Sequence, residues 1–223
     1  KINYNKFKHV IFVSKEGKSS FLNIFPEMKE KTLVCNNLID SKKIKKLAEE
    51  KVNEKKDEGI TTFINVGRHD EKQKKLTRII EVAKRLKMNG YRFKMLWIGD
   101  GPDSNFYKEE IRKNKLQENI ELLGRKQNPY PYFKISDCVI LTSDYEGYPV
   151  VFLESFILNK PIITTKVSDY EQVEGKYGYV TDKSIDDIYE KMKLFIEKGF
   201  DIKQEFDANQ YNSEIIKKLE RIF

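Results

Sequence analysis

Two glutamates, Glu146 and Glu154, lie eight positions apart in the stretch EGYPVVFLE, which follows the apolar run VILTSD. Carboxylates accept hydrogen bonds from hydroxyl groups, and a ribose or sugar diol offers two such groups side by side. Glu154 falls among apolar residues, where an ionised side chain is costly unless a partner satisfies it. The spacing therefore indicates a site for a hydroxyl-rich ligand. The alternative is a capped helix followed by an unrelated surface glutamate.

A cluster of cations follows an earlier apolar run and could bind phosphate oxygens. Gly67 allows a tight turn, Arg68 comes next, and Lys72, Lys74 and Lys75 follow within the same loop. Arginine offers a planar fork to phosphate oxygens, and lysine offers a compact charge. The alternative is an ordinary basic loop at the surface.

The residues between the two glutamates predict a helix whose N-terminus faces the site. Pro149 suits the first turn of a helix, and residues 150–158 are too apolar to be exposed. The free N–H groups and the positive dipole end of this helix would attract phosphate.

Two further loops complete the candidate site. Residues 99–103, GDGPD, form a Gly/Pro turn that differs from the G-x-G-x-x-G fingerprint and follows a middle strand, which argues against a nicotinamide or flavin site. Residues 125–133, RKQNPYPYF, form a structured loop that could pack against a flat base or simply against the core.

Short apolar runs predict the strands that must position these loops. Several runs are continuous rather than alternating, as in parallel strands buried on both faces. Eight strands are expected, at 9–14, 31–35, 61–66, 93–99, 119–124, 137–143, 160–165 and 177–180.

Helical patterns separate these strands. They begin at Leu76, end before Asn89-Gly90, and recur at 103–116, from Ile185 to Gly199, and at 211–223. Alternation of strands and helices from about 60 to 199 predicts an α/β fold, a Rossmann-like doubly wound parallel sheet. Ligands of such sheets bind at the carboxyl ends of the strands, where the loops above begin.

Composition sets broader limits. The 223 residues are 39% hydrophobic with a net charge of +7, and no stretch approaches the length of a membrane span. The charge indicates either solvated helix faces or an anionic partner such as phosphate, nucleic acid or a membrane. Cys35 and Cys138 lie in apolar runs and are expected to be buried thiols in a reducing compartment. No signal peptide is visible, and because the chain begins at Lys1 we expect a piece of a longer protein.

Four segments in order resemble the C-terminal, donor-binding half of a retaining GT-B fold glycosyltransferase of family 4, the glycosyl transferases group 1. They are VGRHDEKQKKLTRIIEVAKRL, LWIGDGPD, IELLGR and SDYEGYPVVFLES, and the last matches the family's E-x7-E signature. The resemblance covers roughly residues 60–199 and extends less tightly to both ends.

The resemblance implies a role for each matching residue. Arg68 and Lys74 would hold the donor diphosphate and, with Glu146 at the donor sugar, would form the catalytic set, while Glu154 would bind the ribose hydroxyls. Further donor-binding residues would be Gly67, Gly101, Arg125, Lys126, Gly147, Tyr148, Pro149, Val150 and Val151.

Two departures from the family pattern leave choices open. Lys75 stands where the family often has a glycine after its lysine, so that Lys74 and Lys75 compete for the diphosphate role. Gly-Tyr-Pro follows Glu146 where Phe-Gly-Leu-Pro types are common, which leaves the donor sugar open.

The resemblance also implies a domain plan. Residues 1–40 would be the tail of the N-terminal acceptor domain and a linker strand, and 41–58 a connecting helix or linker. Residues 59–199 would bind the nucleotide sugar, and 200–223 would be the crossover helix.

The function implied is transfer of a hexose or N-acetylhexosamine from a nucleoside-diphosphate sugar, UDP-linked, to a glycan or lipid-linked acceptor, with retention. The acceptor would bind the missing N-terminal domain, so that this piece alone would bind donor without turnover. No cofactor or metal and no nucleic acid is expected, and the enzyme would work in the bacterial cytoplasm or peripherally at the inner face of the membrane, in polysaccharide or envelope synthesis. The alternatives are a nucleotide-sugar epimerase, another GT-B enzyme such as a phosphorylase, or a non-catalytic nucleotide-binding module.

Overall fold

A six-stranded parallel sheet forms the centre of the molecule. The computed structural model describes residues 2–221. The strands, β1 to β8 in chain order, are Val10–Phe12, Thr32–Val34, Thr61–Val66, Phe93–Ile98, Ile120–Gly124, Cys138–Leu141, Ile162–Thr165 and Gly178–Thr181. All eight predicted strands are present, each within about two residues of its expected bounds, because the apolar runs that defined them are the buried segments of the chain.

The strand order confirms the doubly wound prediction. The large sheet runs β5-β4-β3-β6-β7-β8, and every neighbouring pair is parallel. The chain leaves β3 towards β4 and β5 on one side, and later returns to β6, β7 and β8 on the other. The order therefore reverses at β3, and a crevice opens outside the carboxyl ends of β3 and its neighbours.

Helices cover both faces of this sheet. In chain order, α1 to α9 are Lys15–Leu22, Ser41–Leu47, Glu71–Lys74, Leu76–Met88, Ser104–Lys113, Tyr130–Lys134, Val150–Ile157, Ile185–Lys198 and Ala208–Glu220. The Ser184 hydroxyl caps α8 by accepting from the amide of Asp187, and Gly199 follows its end with a φ of 68°, as the sequence predicted. No helix among residues 2–221 is long and apolar enough to cross a bilayer.

The core has two halves, one on each face of the sheet. Phe63 packs with the side chains of α4, α5 and α8, whereas its neighbour Ile64 packs with those of α6 and α7. Successive residues of a strand point to opposite faces, so that a continuous apolar run fills both halves. Cys35 and Cys138 are buried and free, as predicted.

Strands β1 and β2 form a small sheet of their own. β1 and β2 pair in parallel with each other and with no strand of the large sheet. Helix α9 contacts the linker that follows β2: the side chain of Asn212 accepts from the amide of Ile39 at 3.0 Å and donates to its carbonyl at 2.7 Å. The assignment of residues 1–40 to an acceptor domain stays a prediction.

Some elements differ from the sequence prediction. The short helices α3 and α6 were expected to be loops, and regular helix within 41–58 is confined to α2. The last helix begins at Ala208 rather than 211, because Asp207 caps it, and residues 222 and 223 lie outside the described residues. Pro149 is the N-cap of α7, one position before the helix.

Candidate active site

A cleft of about 410 Å³ opens at the carboxyl ends of β3, β4 and β5, where the topology requires a ligand site. Five of the predicted donor-binding residues line it, namely Gly67, Arg68, Gly101, Arg125 and Lys126. The structure thus brings together side chains that the sequence spreads over some sixty positions, because parallel strands end at one edge.

Glycines let the loops after β3 and β4 touch through their backbones. The amide of His69 donates to the carbonyl of Asp100 at 3.1 Å, and the amide of Asp103 donates to the carbonyl of His69 at 3.1 Å. A Cβ on Gly101 would lie 2.3 Å from the carbonyl oxygen of His69, and a Cβ on Gly99 would lie 1.7 Å from that of Gly67. Any side chain at either position would push the two loops apart.

The guanidinium of Arg68 is exposed at the mouth of this cleft. Within residues 2–221 it makes no ion pair and no hydrogen bond. Asp100 faces the same cleft, and hydrogen bonds from the hydroxyl of Ser104 and the amide of Gly101 hold its pKa below the usual value, with Arg125 contributing. Arg68 is therefore a cation available to a ligand.

Lys74 connects the loop after β3 to the loop after β6. Its ammonium donates to Oε1 of Glu146 at 2.6 Å, and the hydroxyl of Ser143 donates to the same oxygen at 2.6 Å. The exposed fractions of the two charged side chains are only 15% for Lys74 and 9% for Glu146. A Cβ on Gly67 would lie 3.7 Å from Nζ of Lys74, so that this ammonium sits beside the end of β3.

Lys75 points elsewhere. Its Nζ lies 3.9 Å from Oδ2 of Asp144, and its backbone adopts the left-handed conformation with φ 51°. Glycine adopts this conformation without strain, which gives a physical reason for the family's preference at this position. Nζ of Lys74 thus lies beside the end of β3, whereas Nζ of Lys75 lies next to Asp144.

The loop that carries Glu146 also borders a second cleft, of about 520 Å³, facing α1. The hydroxyl of Ser168 donates to the carbonyl of Glu146 at 2.6 Å, and the hydroxyl of Thr165 donates to that of Ser143 at 2.6 Å. These bonds from the β7 end hold the loop in place. Gly147 is exposed, and a Cβ there would meet Val13 at 4.0 Å, so that the loop lies against the end of β1.

The next four predicted residues offer mainly their backbone. Tyr148 is buried, and its hydroxyl lies 2.9 Å from that of Tyr211 on α9, so that the phenol is directed away from the cleft. Pro149 has no N–H, and the amides of Val150 and Val151 are the first of α7, where a helix has no internal acceptor for them.

Glu154 is the fifth residue of α7 and is partly buried. Burial raises the pKa of its carboxyl, and a hydrogen bond from the hydroxyl of Tyr130 to Oε1, at 3.0 Å, opposes this rise. Tyr130 follows Pro129, which lines the first cleft, so that Glu154 lies behind the wall of that cleft.

Sequence reasoning missed three residues that organise the site. Tyr130 was noted only as one aromatic of a loop, while Ser143 and Gln73 were not singled out. The amide nitrogen of Gln73 lies 3.2 Å from the carbonyl of Tyr145 and 3.4 Å from Oε2 of Glu146. Only long-range proximity shows these contacts. Across the described part of the chain, no three His, Cys, Asp or Glu side chains cluster closely enough to hold a metal ion.

Comparison with known proteins gives matching results by sequence and by structure. Residues 28–213 match the family model described as glycosyl transferases group 1. The uncharacterized glycosyltransferase MJ1059 of Methanocaldococcus jannaschii is 33% identical over 168 residues, which span 73% of this chain and 41% of that protein. The amylovoran biosynthesis glycosyltransferase AmsD of Erwinia amylovora is 29% identical over 119 residues, 52% of this chain and 33% of that protein.

Among solved structures, Alr3699/HepE of Anabaena in complex with UDP and glucose superimposes with a TM-score of 0.75 at 18% identity. The match covers 96% of this chain and 63% of that one. At this identity the likeness concerns the fold. The chain spans less than half the length of the two relatives matched by sequence.

Proposed function

The chain belongs to the family of group 1 glycosyl transferases, as its four motifs predicted, and from this premise we propose that it forms the donor-binding half of a retaining enzyme. The donor is a hexose or N-acetylhexosamine linked to a nucleoside diphosphate, and the acceptor is a glycan or a lipid-linked glycan. The acceptor hydroxyl attacks from the face that the diphosphate leaves, and the reaction requires no metal ion. The enzyme works in the cytoplasm, including at the inner face of the membrane.

One observation carries this proposal: two cations of different character flank the end of β3. Arg68 is exposed with no partner among the described residues, and Lys74 is largely buried with its ammonium 2.6 Å from Glu146. A departing diphosphate gains negative charge in the transition state, and fixed cations that face it lower the barrier. Arg68 and Lys74, with the first amides of α7, would stabilise this leaving group.

We assign the remaining roles from the family resemblance and from the residues that line or border the two clefts. Arg125 and Lys126 line the cleft that would accept the base, next to Gly101. Glu154 would accept hydrogen bonds from the ribose hydroxyls. Glu146 and Gly147 border the second cleft, where the sugar would lie against α1.

The relatives support the choice of donor and acceptor. HepE was solved with UDP and glucose, which supports uridine as the base, and AmsD is a protein of amylovoran biosynthesis, which supports a glycan acceptor. Since this chain spans 41% of MJ1059, we assign the acceptor site to a further domain.

Calorimetric titration with UDP, ADP, GDP and CDP in the presence of EDTA tests the proposal. We expect selective binding of one nucleotide, UDP, and weaker binding of uridine. Arg68→Ala should weaken UDP binding by about 1.5–3 kcal/mol while leaving uridine nearly unchanged, because only the diphosphate contacts this cation. The matched control is Arg112→Ala on the exposed face of α5, where Arg112 pairs with Glu109. Equal affinity of the wild type for UDP and uridine would contradict the diphosphate role.

A further inference from the structure

Tyr130 and Glu154 form a phenol–carboxylate pair that joins α6 to α7. The hydroxyl of Tyr130 donates to Oε1 of Glu154 at 3.0 Å. Among the described residues, Tyr130 is the only titratable or charged side chain that contacts this carboxyl, and Oε2 has no hydrogen-bond donor. One oxygen is thus fixed by the protein, and the other is left for a ligand.

The surroundings hold Tyr130 in place. Its amide donates to the side chain of Asn128 at 3.1 Å, and Asn128 in turn donates to the carbonyl of Leu47 at 2.9 Å. The ring packs on Phe133, with the two ring centroids 6.2 Å apart. Because backbone and ring are both fixed, the hydroxyl has little freedom to leave the carboxylate.

We propose that Tyr130 is a positioning residue for donor binding, which holds the carboxylate of Glu154 in an orientation in which its free oxygen meets the ribose hydroxyls. This inference rests on the proposed function, since it deepens the role of Glu154 given there. Tyr130 acts through Glu154 and does not itself touch the reacting atoms.

Two effects of the phenol support this role. A hydrogen bond that stabilises the charged form lowers the pKa of a carboxyl, which opposes the rise that burial causes at Glu154. The same bond restricts rotation of the carboxylate, so that less conformational entropy is lost when a diol binds. A phenylalanine would keep the packing and lose both effects.

The test compares Tyr130→Phe with the wild type by titration with UDP, 2′-deoxy-UDP and 3′-deoxy-UDP at pH 7. The quantity compared is the ratio of the affinity for UDP to that for each deoxy nucleotide. All three ligands carry the same diphosphate, so that its protonation affects each affinity equally. We expect the wild type to prefer UDP over at least one deoxy nucleotide, and Tyr130→Phe to reduce this preference about three- to tenfold.

Tyr91→Phe is the matched control. Tyr91 donates to Glu197 at 2.6 Å, which is the same chemistry at a site remote from both clefts. Removal of the Tyr91 hydroxyl should leave the ratio of UDP to deoxy-nucleotide affinity unchanged. An undiminished ratio in Tyr130→Phe, with a wild type that does prefer UDP, would overturn the proposal.

Carbon-13 NMR titration of the Glu154 carboxyl separates this proposal from the proposed function. We expect a higher pKa in Tyr130→Phe than in the wild type. If the wild type binds no nucleoside diphosphate, the proposed function fails, and the titration still decides on Tyr130. A raised pKa then supports the positioning of Glu154, and an unchanged pKa overturns it.

Discussion

The two ends of the proposed donor site hold their glutamates by different means. Glu146 stands on a loop and receives the ammonium of Lys74 and the hydroxyl of Ser143, both at 2.6 Å. Glu154 stands within helix α7 and receives one neutral phenol at 3.0 Å. A loop at the edge of a parallel sheet meets other loops from neighbouring strands and can collect partners from them. Among the described residues, Glu154 receives its hydrogen bond from α6 alone.

This difference predicts that substitutions at the two glutamates affect folding and ligand binding to different degrees. Glu146 depends on an opposite charge, so that removal of its cation should affect the fold as well as the ligand. Glu154 is partly buried and has no cation beside it among the described residues, so that its ionised carboxylate destabilises the fold. Removal of this carboxylate should therefore affect ligand binding more than folding.

The largest effect is expected from Lys74→Ala, which leaves Glu146 largely buried without its cation. We expect the free energy of unfolding, measured with urea at pH 7, to fall by about 2–3 kcal/mol, since an uncompensated buried charge is expensive. UDP binding should be lost in the same variant.

A double variant, Lys74→Met with Glu146→Gln, provides the control for this loss. Both side chains keep their length without charge, and most of the stability should return, whereas nucleotide binding should not. A loss below about 1 kcal/mol in Lys74→Ala would mean that the pair behaves as a surface ion pair, and the contrast with Glu154 would disappear.

Glu154→Gln should produce the opposite pattern. Affinity for UDP should fall by about 1.5–3 kcal/mol, because hydrogen bonds to a charged carboxylate are replaced by those of a neutral amide. Folding stability at pH 7 should be equal or higher, because a costly buried charge is removed. Calorimetry and urea unfolding on the same sample check both parts, and a clear loss of stability would show that Glu154 supports the fold.

The stability difference between Glu154→Gln and the wild type should also depend on pH, in a direction that the pKa shift of Glu154 sets. Burial raises the pKa of Glu154 in the folded state, so that the folded protein holds this proton more tightly than the unfolded chain. Tighter proton binding by the folded protein adds to the free energy of unfolding. This contribution is fully present below the pKa of the unfolded chain, about 4.3, and is lost as the pH rises through the higher pKa of the folded protein. Glu154→Gln should therefore gain stability relative to the wild type over that window.

Sequence alone predicted the frame of this site well. Parallel strands buried on both faces leave continuous apolar runs, so that β3 to β8 were visible, and their loops had to meet at one edge. Gly67, Arg68, Gly101, Arg125 and Lys126 do meet there. Their catalytic and binding roles stay predictions.

The contacts that organise the site were not predictable in the same way. Lys74 and Glu146 are 72 positions apart, and Tyr130 and Glu154 are 24 apart, so that only the folded sheet and helices bring them together. Helix α6 has five residues and two flanking or internal prolines, too few to show a helical period. Local patterns also gave no sign that the phenol of Tyr148 points to α9.

The smallest effect is expected from a change at Lys75, and it distinguishes this lysine from its neighbour Lys74, which pairs with Glu146. With a φ of 51°, Lys75 adopts a left-handed backbone conformation that is strained for any residue with a Cβ. The contact of its Nζ with Oδ2 of Asp144, at 3.9 Å, is weak. Lys75→Gly should therefore raise the free energy of unfolding by about 0.5–1 kcal/mol, the relief of left-handed strain less the added chain entropy. Lys115→Gly, at φ 55° and remote from the clefts, should gain a similar amount. UDP affinity should stay unchanged in both variants, whereas a drop in Lys75→Gly alone would mean that Lys75, as well as Lys74, reaches the diphosphate.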